Sequence, residues 1–408
     1  MNYKKTFIVL LLLFTITWSY SQNQTKSVIE KLYLNPTYAR GGIDTQIFKS
    51  ISYIPLETTE ESLFGEIYKL EITNDYYIIS DRSTNSILLF QKDGKFYTKI
   101  SGKIFSNGHV NEEFTVDRDQ KLIITTISSI PGKLLWITYK GKIVREVSFK
   151  EPYNSIQNTN SSAVVYSPWT FLAKTIKKDS VNYFIKYLRN NRVDRKLLPY
   201  EVIQFATPAN LMTTDMPRPY HFYYSGVEDN LLFVENYNYN IYALNSVGIE
   251  KIYNVVFPKD LSVSTDSLAK RTSMEEKEKY LKENKNKIYT FRGAYTIGNY
   301  LCFETIKWSF FNTDPYLLYN LKTRNLISLK KISSSISSSY LPLFSAFGSI
   351  IGSDNEYLYS TVSSLDMFQA KESTNSKQPK YSPLLQVYFN TQSRKSNPVI
   401  VQLQLKDN

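Results

Sequence analysis

Ile51 to Ile100 decides the fold: ISYIPLETTEESLFGEIYKLEITNDYYIISDRSTNSILLFQKDGKFYTKI. It reads as short strands separated by tight reversals. GEIYKLEIT runs into a turn at Asn74-Asp75, YYIIS into the polar patch DRSTNS, and ILLF into Gln91-Lys92-Asp93-Gly94, after which KFYTKI ends the run. β-Branched and aromatic side chains suit a pleated, half-buried surface, while Asp, Asn and Gly tolerate the backbone angles of a tight turn. The expected product is a four-stranded antiparallel meander, and no reaction centre is visible within it.

The pattern returns. A shift of 154 positions, Asp75 to Asp229, sets NDYYIISDRSTNSILLFQKDG over EDNLLFVENYNYNIYALNSVG without a gap, with Asp81 on Glu235, Ser86 on Asn240, Ile87 on Ile241 and Gly94 on Gly248. So long a shift spans several repeat units. Weaker copies occupy Phe114 to Phe149, Trp169 to Leu198 and Tyr295 to Leu329, and a last one joins Ile350 to Val362 with Asn397 to Leu405. Six units of about 40–50 residues are expected, the size of a propeller blade. A lone blade leaves both faces of its sheet in water, so neighbours stack radially and the ring closes. The predicted fold is therefore all-β: a six-bladed β-propeller of four-stranded antiparallel blades over 51–408. Ile51 to Leu56 is expected to complete the last blade beside Val399 to Leu405.

Two stretches break the β pattern. Ser264 to Lys287 is rich in helix formers, with Asp266 near its start as a cap. It is the one predicted helical insertion (about 264–287). Its larger apolar positions are few, so it reads as a solvated decoration between blades four and five, or else as a lid or docking arm beside the channel. Met367 to Pro383, containing STN and KQPK, reads as a mobile loop in the final blade.

Lys4 and Lys5 precede an apolar run from Phe7 to Trp18, and Ser19-Tyr20-Ser21 places small residues before Gln22. This is the layout of a secretory signal peptide, 1–21, followed by a polar segment, 22–50, that leads into the propeller. The run is short for a membrane span, and no Cys lies at the cleavage point for lipid attachment. The mature chain is expected to be exported, periplasmic or extracellular, without stable membrane insertion and not as a lipoprotein. Loss of Lys4 and Lys5 lowers the net charge from +12 to +10, and the remaining cations are dispersed, which disfavours nucleic acid as a partner. Cys302, the single cysteine, sits in the apolar run Tyr300 to Phe303 and reads as a small buried hydrophobe.

IPLETT with ESLFGEI at Ile54 to Ile67, YYIISDRSTNSILLFQKDGKF at Tyr76 to Phe96, and DNLLFVENYNYNIYAL at Asp229 to Leu244 resemble bacterial secreted six-bladed β-propeller proteins. SNPVIVQLQLK, Ser396 to Lys406, is similar to that family's last strand, and SDRSTNSILLFQKDGK resembles an NHL-type repeat. The resemblance implies the fold and carries no shared catalytic constellation. One departure stands out. Where the family has a G-x-G-P-G-E-Y turn, Gly108 to Phe114 reads GHVNEEF, which keeps only the opening glycine, a Glu and the aromatic.

No cofactor or metal is expected. His109 and His221 lie in different units, and no nucleophile elbow, zinc-binding helix, P-loop or dinucleotide fingerprint occurs. The acidic triplets at Asp117 and Asp354 fall at hairpin turns, where Asp and Asn serve the backbone. Loops from the second to the third strand, and links to the next blade, emerge on one face of a propeller. That logic gathers Asp81 to Ser86, Glu235 to Asn240, Thr305 to Asp314 and Lys103 to Glu113, and nominates Arg82, His109, Tyr237, Tyr239 and Trp308 as ligand contacts, with Phe310 and Phe311 nearby. Exposed rings with polar neighbours suit sugars or peptide side chains. The expected function is a binding module for a carbohydrate or protein ligand on the loop face around the central channel. The alternative is a glycan hydrolase or lyase with carboxylates at the channel mouth.

Overall fold

In the computed structural model, the described residues are 27–105, 108–109, 114–127, 132–149, 155–158, 163–166, 181–190, 192–201, 222–224, 229–235, 238–271, 274–308, 316–345 and 350–406. The predicted leader, 1–21, lies outside them.

The N-terminal segment supplies β1 (Val28–Tyr33), β2 (Arg40–Ile43), one helical turn α1 (Asp44–Ile47) and β3 (Phe48–Pro55). Blade 1 is β4 (Lys69–Ile72), β5 (Tyr76–Asp81), β6 (Ser86–Gln91) and β7 (Phe96–Ser101). Blade 2 is β8 (Phe114–Asp117), β9 (Leu122–Ile127), β10 (Gly132–Thr138) and β11 (Ile143–Phe149). Blade 3 is β12 (Ser155–Asn158), β13 (Ala163–Tyr166), β14 (Val181–Arg189) and β15 (Arg192–Glu201). Blade 4 is β16 (Phe222–Tyr224), β17 (Leu231–Val234), β18 (Asn240–Asn245) and β19 (Gly248–Val256). Helices α2 (Thr265–Ala269) and α3 (Met274–Glu283) precede blade 5, which is β20 (Ile288–Ile297), β21 (Tyr300–Lys307), β22 (Tyr316–Asn320) and β23 (Leu326–Ser333). Blade 6 takes β24 (Ile350–Ser353) and β25 (Leu358–Val362), then α4 (Ser364–Thr374) and α5 (Pro383–Thr391), and β26 (Val399–Leu405).

These are six small antiparallel sheets in a ring, a six-bladed β-propeller. The 154-residue shift spans three blades, since Ser86 opens β6 and Asn240 opens β18. Alternation explains why the strands are apolar throughout. In β5 and β6, Ile78, Ile87 and Leu89 face the seam with blade 2, whereas Tyr77, Ile79, Leu88 and Phe90 face the seam with blade 6. Both faces of each sheet are therefore buried, and each fully buried Ile or Leu contributes about 1.5–3 kcal/mol.

Ring closure follows the expected route. β3 lies antiparallel to β26, with Pro55 opposite Val399 and Ile51 opposite Leu403. The chain before it is also built into the sheets. β1 adds a parallel fifth strand to blade 4, Val28 opposite Lys251, and β2 does the same for blade 5, Ile43 opposite Ser333. One N-terminal belt thus covers the outer edges of two blades and completes a third. An open edge leaves N–H and C=O groups unpaired, and the belt satisfies them. Leu32 is fully buried beneath it, and Glu30 pairs with Lys251 at 2.6 Å.

The stretch from Met367 to Pro383 departs from expectation, because it belongs to a helical pair and not to a loop. The Ser363 side chain accepts from the Asp366 N–H and starts α4, and Ser382 accepts from the Leu385 N–H with Pro383 at the first turn of α5. Met367, Leu385, Tyr388 and Phe389 then face the core, so packing stabilises helices that local sequence barely encodes. In the 264–287 insertion the cap is Ser264, whose side chain accepts from the Ser267 N–H. Leu268 and Leu281 pack there against Val263 and Tyr289.

Candidate ligand-binding site

The two ends of the ring are unequal. Tight turns such as 73–75, 92–95 and 298–299 gather at one end. The other end takes the links between blades and the loops between second and third strands. Both helical pairs lie there: α2–α3 in the link from blade 4 to blade 5, and α4–α5 between the second and third strands of blade 6. Elaboration of one end over a rigid scaffold is where propellers and other folds place recognition.

The first strand of every blade lines the axis. In β4, Leu70 and Ile72 enter a seam while Lys69 and Glu71 line an axial cavity of about 30 Å³, shared with Tyr223, Tyr224, Tyr295 and Ser353. Glu71, 4% exposed, is the hub. Its Oε2 accepts from Arg118 Nη2 at 3.2 Å, its Oε1 lies 3.7 Å from Lys69 Nζ, and Gln157 Nε2 donates to Oε1 at 3.5 Å. Lys69 Nζ donates to the Phe114 carbonyl at 2.6 Å, and Thr115 Oγ1 donates to Gln157 Oε1 at 2.7 Å. Arg118 also donates to the Ile72 carbonyl at 3.2 Å, and its guanidinium lies 4.0 Å over the Tyr224 ring. Five blades meet in this cluster, counting Ser353 of blade 6, whose Oγ donates to the Tyr224 carbonyl at 3.2 Å. Arg118 follows β8 directly, so this cluster lies at the tight-turn end of the axis.

Blade 5 adds a second buried pair. Arg292 donates through Nε and Nη2 to both Glu304 oxygens, at 2.6 and 2.7 Å. Burial works against the Arg292 charge, but Glu304 outweighs it and holds the guanidinium above its ordinary value. Tyr295 meets the Tyr223 ring edge-on at 5.4 Å, and burial pushes its hydroxyl well up.

The sequence-nominated residues fall into two groups. Arg82 is exposed on the second-to-third loop of blade 1, its guanidinium 4.0 Å over Tyr68 and its Nη2 donating to the Tyr68 hydroxyl at 2.6 Å. Asp81 beneath it accepts from the Ser83 and Thr84 hydroxyls and from the Thr84 and Glu66 N–H groups. Burial alone would raise that carboxyl, yet these donors hold it below its ordinary value. His109 is exposed in the adjoining link, where Asn85 Nδ2 donates to the Gly108 carbonyl at 2.8 Å. The second group adjoins the insertion. The Tyr239 hydroxyl is shared between the Val263 and Ile288 carbonyls at 3.0 and 2.7 Å, and Trp308 is half-buried against Val263, Leu268, Leu281 and Tyr289. Tyr237, Phe310, Phe311 and His221 lie outside the described residues.

Glu235 occupies the position of Asp81 three blades on. Asn238 Nδ2 donates to it at 3.2 Å, and burial pushes its carboxyl up to about 7. Sequence reasoning passed over the axial residues, though a signal was present. K-L-E-I, F-T-V-D and S-I-Q-N place polar residues at alternate positions of first strands, and period two puts them all on one face. Among the described residues, no group of three His, Cys, Asp or Glu could hold a metal ion, and no helix is long and apolar enough to cross a membrane.

Residues 44–404 match the domain of unknown function DUF4934. The chain belongs to this family. The DUF4934 match begins at Asp44, ahead of β3, and ends in β26, so it encloses the whole closed ring. A solved protein of Bacteroides fragilis, assigned as exported, is similar with a TM-score of 0.65 and 13% identity over 93% of this chain and 100% of that one. A DUF4221 family member from Bacteroides vulgatus gives a TM-score of 0.47 at 13% identity, over 88% and 98%. At these identities the likeness shows the fold alone. No curated protein matches the chain.

Proposed function

We propose that this DUF4934 protein is an exported binding module that holds a carbohydrate or protein ligand on its loop face, over the mouth of the central channel. The carrying observation is the asymmetry of the axis. Arg118, over the Tyr224 ring and paired with Glu71, stands at the tight-turn end, while both helical pairs and the Arg82–His109 loops stand at the other end. A ligand then approaches from the loop face, where Arg82 offers charge and His109 an imidazole ring. The axial cavity of about 30 Å³ admits only a small group, so most of the contact falls on the rim.

The signal-peptide layout of residues 1–21 and the Bacteroides fragilis neighbour, assigned as exported, support export to the periplasm or the exterior. The NHL-like reading of Ser80 to Lys95 rests on the resemblance of that segment to an NHL-type repeat.

A glycan and peptide binding screen on residues 22–408 tests the reading, repeated with Arg82→Ala, His109→Ala and Glu71→Gln. Tenfold or greater loss of affinity in the first two is expected, about the worth of one charged contact. Turnover of a bound glycan, or affinities that ignore both loop substitutions, would overturn it.

A further inference from the structure

We infer that Arg292, at the loop-side mouth of the axial channel, is a ligand contact that hydrogen-bonds adjacent hydroxyls of an uncharged sugar. This role rests on the binding function proposed for the loop face and narrows its ligand to a glycan. β20 is ten residues long against four for β4, and each ends in a tight turn, at 298–299 and 73–75. The extra length therefore projects toward the loop face. Tyr295 lines the axial cavity, and Arg292 stands three residues nearer that face, about 10 Å along the strand. Tyr223, also of the cavity lining, lies within electrostatic reach of it.

β20 is bulged at this point. Its register against β21 shifts between Arg292 and Ala294, whereas β4, β8, β12 and β16 pair with their neighbours without a shift. Gly293 carries the bulge at a φ of 70°, and a Cβ there would stand 3.0 Å from the Tyr316 hydroxyl, so a larger residue would be strained. Bulges re-aim a neighbouring side chain and are over-represented beside functional sites. This one leaves Arg292 directly opposite Glu304. Arg292 Nε and Nη2 donate to the two carboxylate oxygens at 2.6 and 2.7 Å, which fixes the guanidinium plane. The Glu304 side chain is 4% exposed, while 25% of the Arg292 side chain remains open to solvent.

A guanidinium has five N–H donors, and Glu304 takes one edge of this one. Among the described residues, none accepts from Nη1. The remaining edge therefore presents two parallel N–H groups, from Nη1 and Nη2, in a plane that is already fixed. A donor pair held in place before binding loses little side-chain freedom when a ligand arrives. Two neighbouring acceptors match it. Adjacent hydroxyls of a sugar ring supply two, whereas a peptide carbonyl supplies one. A carboxylate also supplies two, but Glu304 already offsets the Arg292 charge, and a second anion on the same guanidinium would be repelled by the first. An uncharged sugar is the occupant this edge fits.

An array of neutral and uronic-acid oligosaccharides, probed with residues 22–408 and its variants, tests the inference. Neutral oligosaccharides are expected to bind. Arg292→Lys keeps a charge for Glu304 but loses the fork, and should weaken that binding about tenfold or more. Arg292→Met with Glu304→Gln strands no buried carboxylate, so the same loss should appear at a melting temperature close to that of the unaltered protein. Phenylglyoxal labelling, mapped by mass spectrometry, reads the edge without a variant: Arg292 should be modified in the folded protein, and a bound neutral oligosaccharide should protect it. Glycan binding that Arg82→Ala and His109→Ala weaken but both Arg292 variants retain would overturn this inference and leave the loop-face function standing. Ligands confined to uronic-acid glycans or peptides, or an Arg292 inert to phenylglyoxal, would overturn it as well. Absence of any ligand would overturn both.

Discussion

Arg118 of blade 2 lies over Tyr224 of blade 4, its guanidinium carbon 4.0 Å from the ring centroid, with Glu71 of blade 1 at 3.2 Å from the same side chain. Three blades are thus locked across the axis by one residue. Arg118→Ala leaves the buried Glu71 carboxylate with Lys69 and Gln157 alone. Equilibrium denaturation should show a loss of about 2–4 kcal/mol. Arg118→Lys keeps the charge without the guanidinium over the Tyr224 ring, and its stability should fall between the two.

Asn397 joins the last blade to the first. Its Nδ2 donates to the Glu57 and Ser62 carbonyls at 2.7 and 3.0 Å, its Oδ1 accepts from the Phe64 N–H at 3.1 Å, and it is fully buried. Asn397→Ala strands those groups, for a cost of about 2–4 kcal/mol by chemical denaturation. Leu is no remedy at this position, because the orphaned carbonyls remain.

Glu235 sets a pH dependence. Its carboxyl rises from 4.5 to about 7 through burial. The folded state therefore keeps a proton that the unfolded chain releases in this range, so the Glu235 contribution makes stability fall as pH climbs from about 4.5 to 7. Glu235→Gln should flatten that slope and raise stability at pH 8 by up to about 3 kcal/mol. Melting temperatures at pH 5 and pH 8 for both proteins provide the check; a parallel decline in the two would refute the assignment.

Cys302 is fully buried beside blade 5's core, and burial pushes its thiol up, far from the thiolate. A thiol reagent such as Ellman's should leave the folded protein untouched and label one equivalent after denaturation. The labelling rate then reports unfolding of the ring.

The belt and the closing strand are separable. Truncation through Ile43 removes β1 and β2 but keeps β3, so the ring should still fold cooperatively, at reduced stability. Leu32→Ala alone should cost about 2–4 kcal/mol. Truncation through Pro55 takes the fourth strand of blade 6, and circular dichroism should then show no cooperative transition.

The meander from Lys69 to Ser101 was legible because Asn74-Asp75 and Asp93-Gly94 bracket runs that only strands accommodate. The closing pair was legible too, since IPLE and VIVQLQL are apolar segments at opposite ends of the repeats. The helical pair of blade 6 was hidden: Ser363 and Ser382 look like ordinary loop serines until Met367, Tyr388 and Phe389 have a core to face. β1 was hidden for a related reason. VIEKLY carries too little alternation to declare a strand, and what holds it is the free edge of β19.

Local chemistry alone therefore determined the repeat, its period and the closure, because strand and turn preferences act over a few residues and recur six times. Tertiary structure alone decided which polar residues converge. Lys69, Glu71, Thr115, Arg118, Gln157 and Tyr224 come from four blades, and their spacing along the chain carries no record of the axis they share. Radial closure brings them within hydrogen-bonding distance, and a buried carboxylate needs such partners to remain there.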